Sequence, residues 1–372
     1  MAQCLLTNIP ASSEGASIKK RDQEERKPKS RFAGLLSAKA AASTPQGKRR
    51  LLAFSDSRQD AAYFATYLNR TANQILHRQM IVKAARRFLS DTPGVSAFDV
   101  NDLLNPMISV AQETGLFDAK DTEGTKILEV SKWLNAELAN IQRRQGLEGV
   151  GLISWDLKCS DRLHEYAESF EGGLERDYGL DAKAFVLLLK ILLTELRRQN
   201  VLQSIKGVRL QDVYFWPRNR PYTIRPNGVN SRLSIASWLP QTARNMRSDF
   251  IERVFFKLGR TVDKGVVEKL LDDLWTLSMA EGLGIWEEAS VKKLWGDRGQ
   301  DEVAWRLRWD AWIGRMNDGE NASLYKCQTC GNLSQYNLKG VCPTYRCPGY
   351  LAEVTPDTVS YTHLTLPTIY SV

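Results

Sequence analysis

The spacing of apolar and polar positions changes character several times along the chain. A short apolar run, Leu51-Leu52-Ala53-Phe54, stands behind the basic residues Lys48, Arg49 and Arg50. Such a run suits a strand buried on both faces of a parallel sheet. Ser55, Asp56 and Ser57 then switch abruptly to small polar residues. Those types cap helices, because a side-chain oxygen accepts an unpaired N–H of the first turn. From Arg58 onward, Ala61, Ala62, Phe64, Ala65 and Leu68 fall at helical spacing. The segment Arg49 to Ala62 therefore predicts strand, tight turn and helix. Ligands collect at the carboxyl ends of strands in open α/β sheets, and helix N-termini favour phosphates.

The helical pattern continues to about Leu89, in one or two pieces, until Asp91-Thr92-Pro93-Gly94. It resumes from Asp99 to Gln145, with breaks expected at Pro106 and around Asp121 to Gly124. Ile127, Leu128, Val130, Trp133, Leu134, Leu138 and Ile141 keep i, i+3, i+4 spacing there. Phe185 to Leu193 is apolar on nearly all sides and predicts a buried helix ended by Glu195 to Asn200. No run between Ser90 and Asn200 reads as a strand. Ser248 to Met279 is helical again, with Phe250, Ile251, Val254, Phe255 and Leu258 at core spacing. Leu270, Leu271, Leu274 and Leu277 continue it after Gly265. Tryptophans at 275, 286, 295, 305, 309 and 312 point to a packed core under these helices. No repeat recurs at the periods of solenoid proteins.

Between Val208 and Arg247 aromatics and arginines interleave: Tyr214-Phe215-Trp216-Pro217-Arg218-Asn219-Arg220-Pro221-Tyr222, then Arg225, Arg232, Arg244 and Arg247. Asp212 is the acid nearby. Basic grooves with aromatic platforms bind single strands, so Arg218 and Arg220 are candidate nucleic-acid contacts. The competing reading is that Trp216 and Trp238, beside prolines, pack a loop onto the helical core.

Composition narrows the class. The chain has 372 residues, enough for two or three domains, and a formal charge of +8 that suits an anionic partner without requiring one. No apolar run is long enough to span a bilayer, and the N-terminus lacks the pattern of a signal peptide. The expected compartment is the cytoplasm. Residues 1–47 read as a linker or mobile segment, with the charged run Lys19 to Lys27 and a weak alanine-rich helix at Phe32 to Ala42. The interleaved acids in that run favour a solvated face over nucleic-acid contact.

Of the six cysteines, four lie between Cys327 and Cys347, too few overall for a disulfide scaffold and too clustered for chance. Cys327-Gln328-Thr329-Cys330-Gly331 forms a metal knuckle: two thiolates reach one ion while the glycine turns backbone N–H groups toward the sulfurs. The second pair, Cys342 and Cys347, begins after eleven intervening residues and carries a four-residue gap. Two such pairs make a closed four-thiolate site, which suits structural zinc. Disulfides, free thiols and an iron–sulfur cluster are the alternatives. Cys4 and Cys159 have no partners in sequence.

The motifs FSDSRQDAAYFA and YKCQTCG…CPTYRCPG, in this order, resemble a group of superfamily 2 DEAD/DEAH-box helicases. In that group the first segment is helicase motif IV, at the start of the second RecA-like domain. A four-cysteine module follows it, behind a long helical insertion. The resemblance covers Leu51 to about Glu353. It implies a chain that is mainly α with a small α/β portion: a partial RecA-like domain, a large helical insertion and a small zinc-ribbon-like module. The expected division is 1–47 linker, 48–90 start of the second RecA-like domain, 91–320 helical insertion and 321–358 zinc module. It further implies that Ser55, Asp56, Ser57 and Arg58 face a DNA strand, single or at a duplex junction. Structural zinc would be held by Cys327, Cys330, Cys342 and Cys347, with ATP and magnesium used by the full-length parent only.

The parts needed for ATP hydrolysis are missing from the sequence. No G-x-x-x-x-G-K-[ST] cradle and no Q-x-x-G-R-x-G-R is present. Asp301-Glu302-Val303-Ala304 opens like a D-E-x-H box but reads better as a helix start. Phosphoryl transfer therefore lacks its cradle, its metal-binding acid and its arginine finger. His77, His164 and His363 stand near no plausible nucleophile. The tail from Val359 to Val372 carries no charge and resembles translated sequencing-adapter DNA, so 359–372 is set aside from fold reasoning. The expected function is a fragment of an ATP-dependent DNA helicase, inactive alone. The alternative is a non-enzymatic zinc-containing module that binds nucleic acid or protein.

Overall fold

The computed structural model describes residues 58–354, apart from 119, 141–143, 216–219, 297–301 and 318–322. The predicted strand Leu51 to Phe54 and the turn Ser55 to Ser57 lie outside the described residues, as does the tail. Among the described residues there are nine α-helices and nine short strands. The chain is mainly α with small mixed sheets. No described helix is long and apolar enough to cross a membrane.

The first helix, α1 (Arg58–Asp91), is continuous where one or two pieces were expected. α2 (Val100–Glu113) starts at a capping box: Asp99 accepts the N–H groups of Asn101 and Asp102, while Asp102 accepts that of Asp99. The helix runs through Pro106, against the expected break. A proline there removes one intrahelical bond, and the cap together with buried Leu103, Met107 and Ile108 outweighs that loss. α3 (Glu123–Leu138) begins at the Thr122 cap, where the sequence placed a break.

The absence of a strand before Asn200 is corrected. β1 (Ile153–Leu157) pairs antiparallel with β6 (Trp312–Met316), Trp155 opposite Gly314. Its alternation is only five residues long and its partner is remote, so no local pattern announces it. Gly314 also exchanges two backbone hydrogen bonds with Phe98, whose buried ring lies where a Cβ at position 314 would go. A glycine here permits the close approach of ring and strand.

After β1 come α4 (Ser160–Glu168), α5 (Glu171–Tyr178) and α6 (Ala182–Arg198). α6 is buried along nearly its whole length, as its apolar run predicts, and Asn200 closes it in the left-handed conformation. The expected single helical stretch from Ser248 divides into α7 (Met246–Lys257) and α8 (Lys264–Ser278). The break falls around Gly259, with φ of +71°, and Gly265 lies inside α8.

A four-stranded sheet has the order β3 (Ile235–Ser237), β2 (Thr223–Arg225), β5 (Val303–Leu307), β4 (Trp286–Ser290). β2 and β3 are parallel and the other pairs antiparallel. Short α9 (Val291–Trp295) follows β4. The predicted helix start at Asp301 to Ala304 is thus overturned, because Val303 to Leu307 is β5, whose branched and aromatic residues favour a pleated surface. The segment 91–320 accordingly carries six strands besides its helices. The third sheet orders β8 (Leu333–Ser334), β7 (Tyr325–Cys327), β9 (Leu351–Glu353) and holds the cysteines.

One large apolar core joins α1 to α8, the sheet residues Trp155 and Trp312, and Leu338 and Val341 from the cysteine module. Within it Trp275 meets Trp238 at a tilt, and partly buried Trp286 and Trp305 pack against Trp275 tilted and edge-on. Full burial of such side chains supplies on the order of 2 kcal/mol each, which makes this core the main source of stability. Beneath Trp312 lies a buried ionic cluster. Glu148 accepts two hydrogen bonds from Arg197 at 2.7 and 2.8 Å and a third from Arg198, which also reaches Glu195. The Arg197 guanidinium stands 4.8 Å from the Trp312 ring.

Candidate metal centre

β7 carries Cys327 to the end of its strand, and the chain turns at once into the knuckle. Gly331, with φ of +73°, makes that turn while its N–H bonds the Cys327 carbonyl at 3.0 Å. The turn aims the Cys330 N–H at Cys327 Sγ, 3.5 Å away. In the second pair Arg346 takes the left-handed conformation, φ +56°, just before Cys347. The loop between the pairs folds back because Leu338 and Val341 anchor it in the main core.

The result is a cluster in which the four sulfurs of Cys327, Cys330, Cys342 and Cys347 all lie within 4.8 Å of one another. Cys327 to Cys347 is 3.7 Å and Cys330 to Cys342 is 3.6 Å. A disulfide needs about 2.05 Å, so these are four separate thiols. A tetrahedron with metal–sulfur bonds of about 2.3 Å has edges of about 3.8 Å, close to the two spacings found. The four cysteines can therefore hold a metal ion.

The surroundings treat the cysteines differently. Asn332 Nδ2 donates to Thr344 Oγ1 at 2.6 Å, and the Cys330 thiol donates to the same oxygen at 3.6 Å. Burial opposes ionisation at Cys330. The Asn332 backbone N–H, the Thr344 hydroxyl and the neighbouring thiols outweigh it and hold the group down to about 7. Burial pushes the Cys342 and Cys347 thiols up, so a cation is what would bring them to the anionic form. Close approach is essential at Gly349, where a Cβ would stand 2.6 Å from Cys327 Sγ and 2.6 Å from Thr329 Oγ1.

The module is fastened to the rest of the chain at two places. Gln335 donates to the Trp155 carbonyl, and the Tyr336 hydroxyl donates to Asp156, both at 2.6 Å. Lys190 completes that contact with Asp156. The second fastening is Arg253 on α7, which reaches the backbone of Cys342, Thr344 and Cys347. Neither contact is visible in the sequence, because each joins residues about 90 or more positions apart. An arginine four residues after an aspartate on a predicted helix was the available signal, and it is a common one.

The other expected site residues are differently placed. Ser55, Asp56, Ser57 and Arg218 lie outside the described residues, and Arg58 is the first residue of α1. Arg220 is exposed, and its carbonyl accepts from Asn200. Arg225 pairs with Glu302 at 2.7 Å and Arg244 with Glu252 at 2.6 Å. Arg247 is buried beside Trp238 and donates to the Ser237 and Trp238 carbonyls. Trp238 is itself fully buried, its Nε1 donating to Leu271, so the packing reading holds for Trp238, while Trp216 lies outside the described residues. His77 stacks on Trp133 at 4.0 Å, and burial followed by the Arg78 charge pushes it down to about 4, leaving it neutral at pH 7. Cys159 is a plain thiol that burial pushes up to about 11. Cys4 and His363 lie outside the described residues.

Comparison with known proteins adds no relative: no family model, curated protein or solved structure matches the chain.

Proposed function

We propose that Cys327, Cys330, Cys342 and Cys347 bind a structural zinc ion. On this reading the zinc module belongs to the C-terminal lobe of an ATP-dependent DNA helicase of superfamily 2. The observation that carries the zinc reading is that the four sulfurs lie within 4.8 Å of one another, with Cys327–Cys347 and Cys330–Cys342 at 3.7 and 3.6 Å. The site is closed: four thiolates fill a tetrahedral ion's coordination and leave no open position for a substrate. Zinc here would fold and fasten a small sheet that has little core of its own, only the cysteines and Leu351 being clustered there.

The helicase reading rests on the order of the two motifs, FSDSRQDAA before YKCQTCG…CPTYRCPG. In it, 48–90 opens the second RecA-like domain. Ser55, Asp56, Ser57 and Arg58 hold backbone phosphates of a DNA strand while ATP and magnesium act elsewhere in the parent, and exposed Arg220 with Arg218 adds a further contact. Phosphate contacts carry no base information, so Arg58→Ala in the full-length parent should weaken DNA binding nearly evenly across sequences and lower its salt slope by about one. Unchanged affinity and slope would remove that role. The reading frame in the genome decides between the two classes of function. A G-x-x-x-x-G-K-[ST] and a D-E-x-H upstream with a Q-x-x-G-R-x-G-R downstream establish the helicase, and natural flanks without them favour a non-enzymatic zinc module.

A further inference from the structure

The side chain of Arg253 makes an unusually complete set of contacts at the cysteine cluster. A guanidinium offers five N–H donors in a fixed fork. Nη1 donates to the carbonyls of Cys342 at 2.7 Å and Cys347 at 2.8 Å. Nη2 donates to Thr344 at 3.1 Å and to Asp249 Oδ2 at 2.9 Å, and Nε donates to the same Asp249 oxygen at 3.1 Å. Every donor is used. Asp249 Oδ2 also accepts the Arg346 backbone N–H at 3.1 Å, so the pair grips the second knuckle by both its carbonyls and an N–H.

We infer that Arg253, oriented by Asp249, is a positioning residue that couples metal binding at the four cysteines to the order of helix α7. This inference rests on the metal-centre reading above. Three features support it. A dication with four thiolates carries a net charge of −2, and a half-buried arginine beside two of the ligand residues offsets part of it. The carbonyls of Cys342, Thr344 and Cys347, gathered on one guanidinium, hold the Cys342–Cys347 turn in the shape that brings both sulfurs to one point. Partners outside the ligand sphere commonly contribute 10- to 100-fold in metal affinity. Finally, α7 inserts Phe250, Ile251, Val254 and Phe255 into the main core, and its cap Asn245 donates to the Trp238 carbonyl. Whatever holds Arg253 therefore reaches directly into the tryptophan cluster.

The test is cobalt(II) and zinc(II) titration of the full chain, as wild type, Arg253→Ala and Arg253→Lys, with hydrogen exchange on residues 246–257 with and without metal. The wild type should bind one ion and gain exchange protection in α7. R253A should bind roughly 10- to 100-fold more weakly, keep the cobalt–thiolate absorption of a four-sulfur site, and show α7 protection that no longer responds to metal. R253K keeps the charge but offers three donors from one point, so it should restore part of the affinity and little of the coupling. If R253A is unfolded, the same readouts on R253K decide. A wild type that binds no metal overturns the metal centre itself. A wild type that binds, with R253A or, failing that, R253K matching it in affinity and α7 response, overturns the coupling alone.

Discussion

At the scale of single residues, the strongest constraints are groups whose chemistry would be unfavourable without a specific partner. Glu148 is fully buried, which alone would raise its carboxyl, but the charges of Arg197 and Arg198 hold it down to about 2. Its folded value lies below the ordinary 4.5, so the stabilisation is complete above that pH and is lost as pH falls toward about 2. Glu148→Gln takes the counter-charge from the buried Arg197 guanidinium and leaves Arg198 with Glu195 alone. It should lower unfolding free energy at pH 7 by about 3 kcal/mol and flatten the acid limb between pH 4.5 and 2, as read by denaturant titrations across pH. An unchanged acid limb would show that the cluster is not what resists acid. Gly349 makes a steric demand of the same sharpness. Gly349→Ala drives a methyl toward Cys327 Sγ and Thr329, and should weaken zinc affinity at least tenfold in a chelator competition while the helical circular-dichroism signal stays at the wild-type level.

Among the elements, legibility followed the distance between partners. α6 could be read directly, since an apolar surface on all sides leaves a helix nowhere to go but the core. The Asp99 and Thr122 caps are local, and the helices they start lie in the predicted stretch from Asp99, although α2 runs through Pro106 and α3 ends at Leu138 rather than near Gln145. β1 and β5 were not legible. Each is five residues long, and β1 meets its partner more than 150 positions away, so the hydrogen bonds that define it are invisible in its own sequence. The same reason hides Arg253: a helix pattern places it at a helix surface but cannot say that the cysteine turn lies against that surface. The cysteines themselves were legible because metal-ligand spacing is a local property. The β1–β6 pairing makes its own prediction. Gly314→Ala puts a Cβ into the Phe98 ring and should destabilise the protein by about 1–3 kcal/mol, visible as a lower urea midpoint with an unchanged m-value. A neutral result would mean that Phe98 can move away without loss.

For the whole molecule, the helical body and the cysteine module depend on each other unequally. The body has a large core with several fully buried tryptophans, whereas the module's own cluster amounts to three cysteines and a leucine. Small domains with so little apolar burial need a metal or another staple to hold together. The module is therefore expected to lose its structure when the metal is removed, while α6 and its neighbours remain folded. The distribution of arginines fits this division: Arg197, Arg247 and Arg253 are engaged inside the structure, and net charge alone does not mark a nucleic-acid surface. The proposed DNA contact would use exposed Arg220 and the Ser55 to Arg58 segment, of which Ser55 to Ser57 lie outside the described residues. The central claim is that four cysteines make one metal centre, and metal analysis of the purified chain combined with thiol titration under native conditions tests it most directly. The account predicts about one zinc per chain, with Cys327, Cys330, Cys342 and Cys347 becoming reactive only after chelation. Substantially less than one zinc, with those four thiols freely reactive from the start, would contradict it.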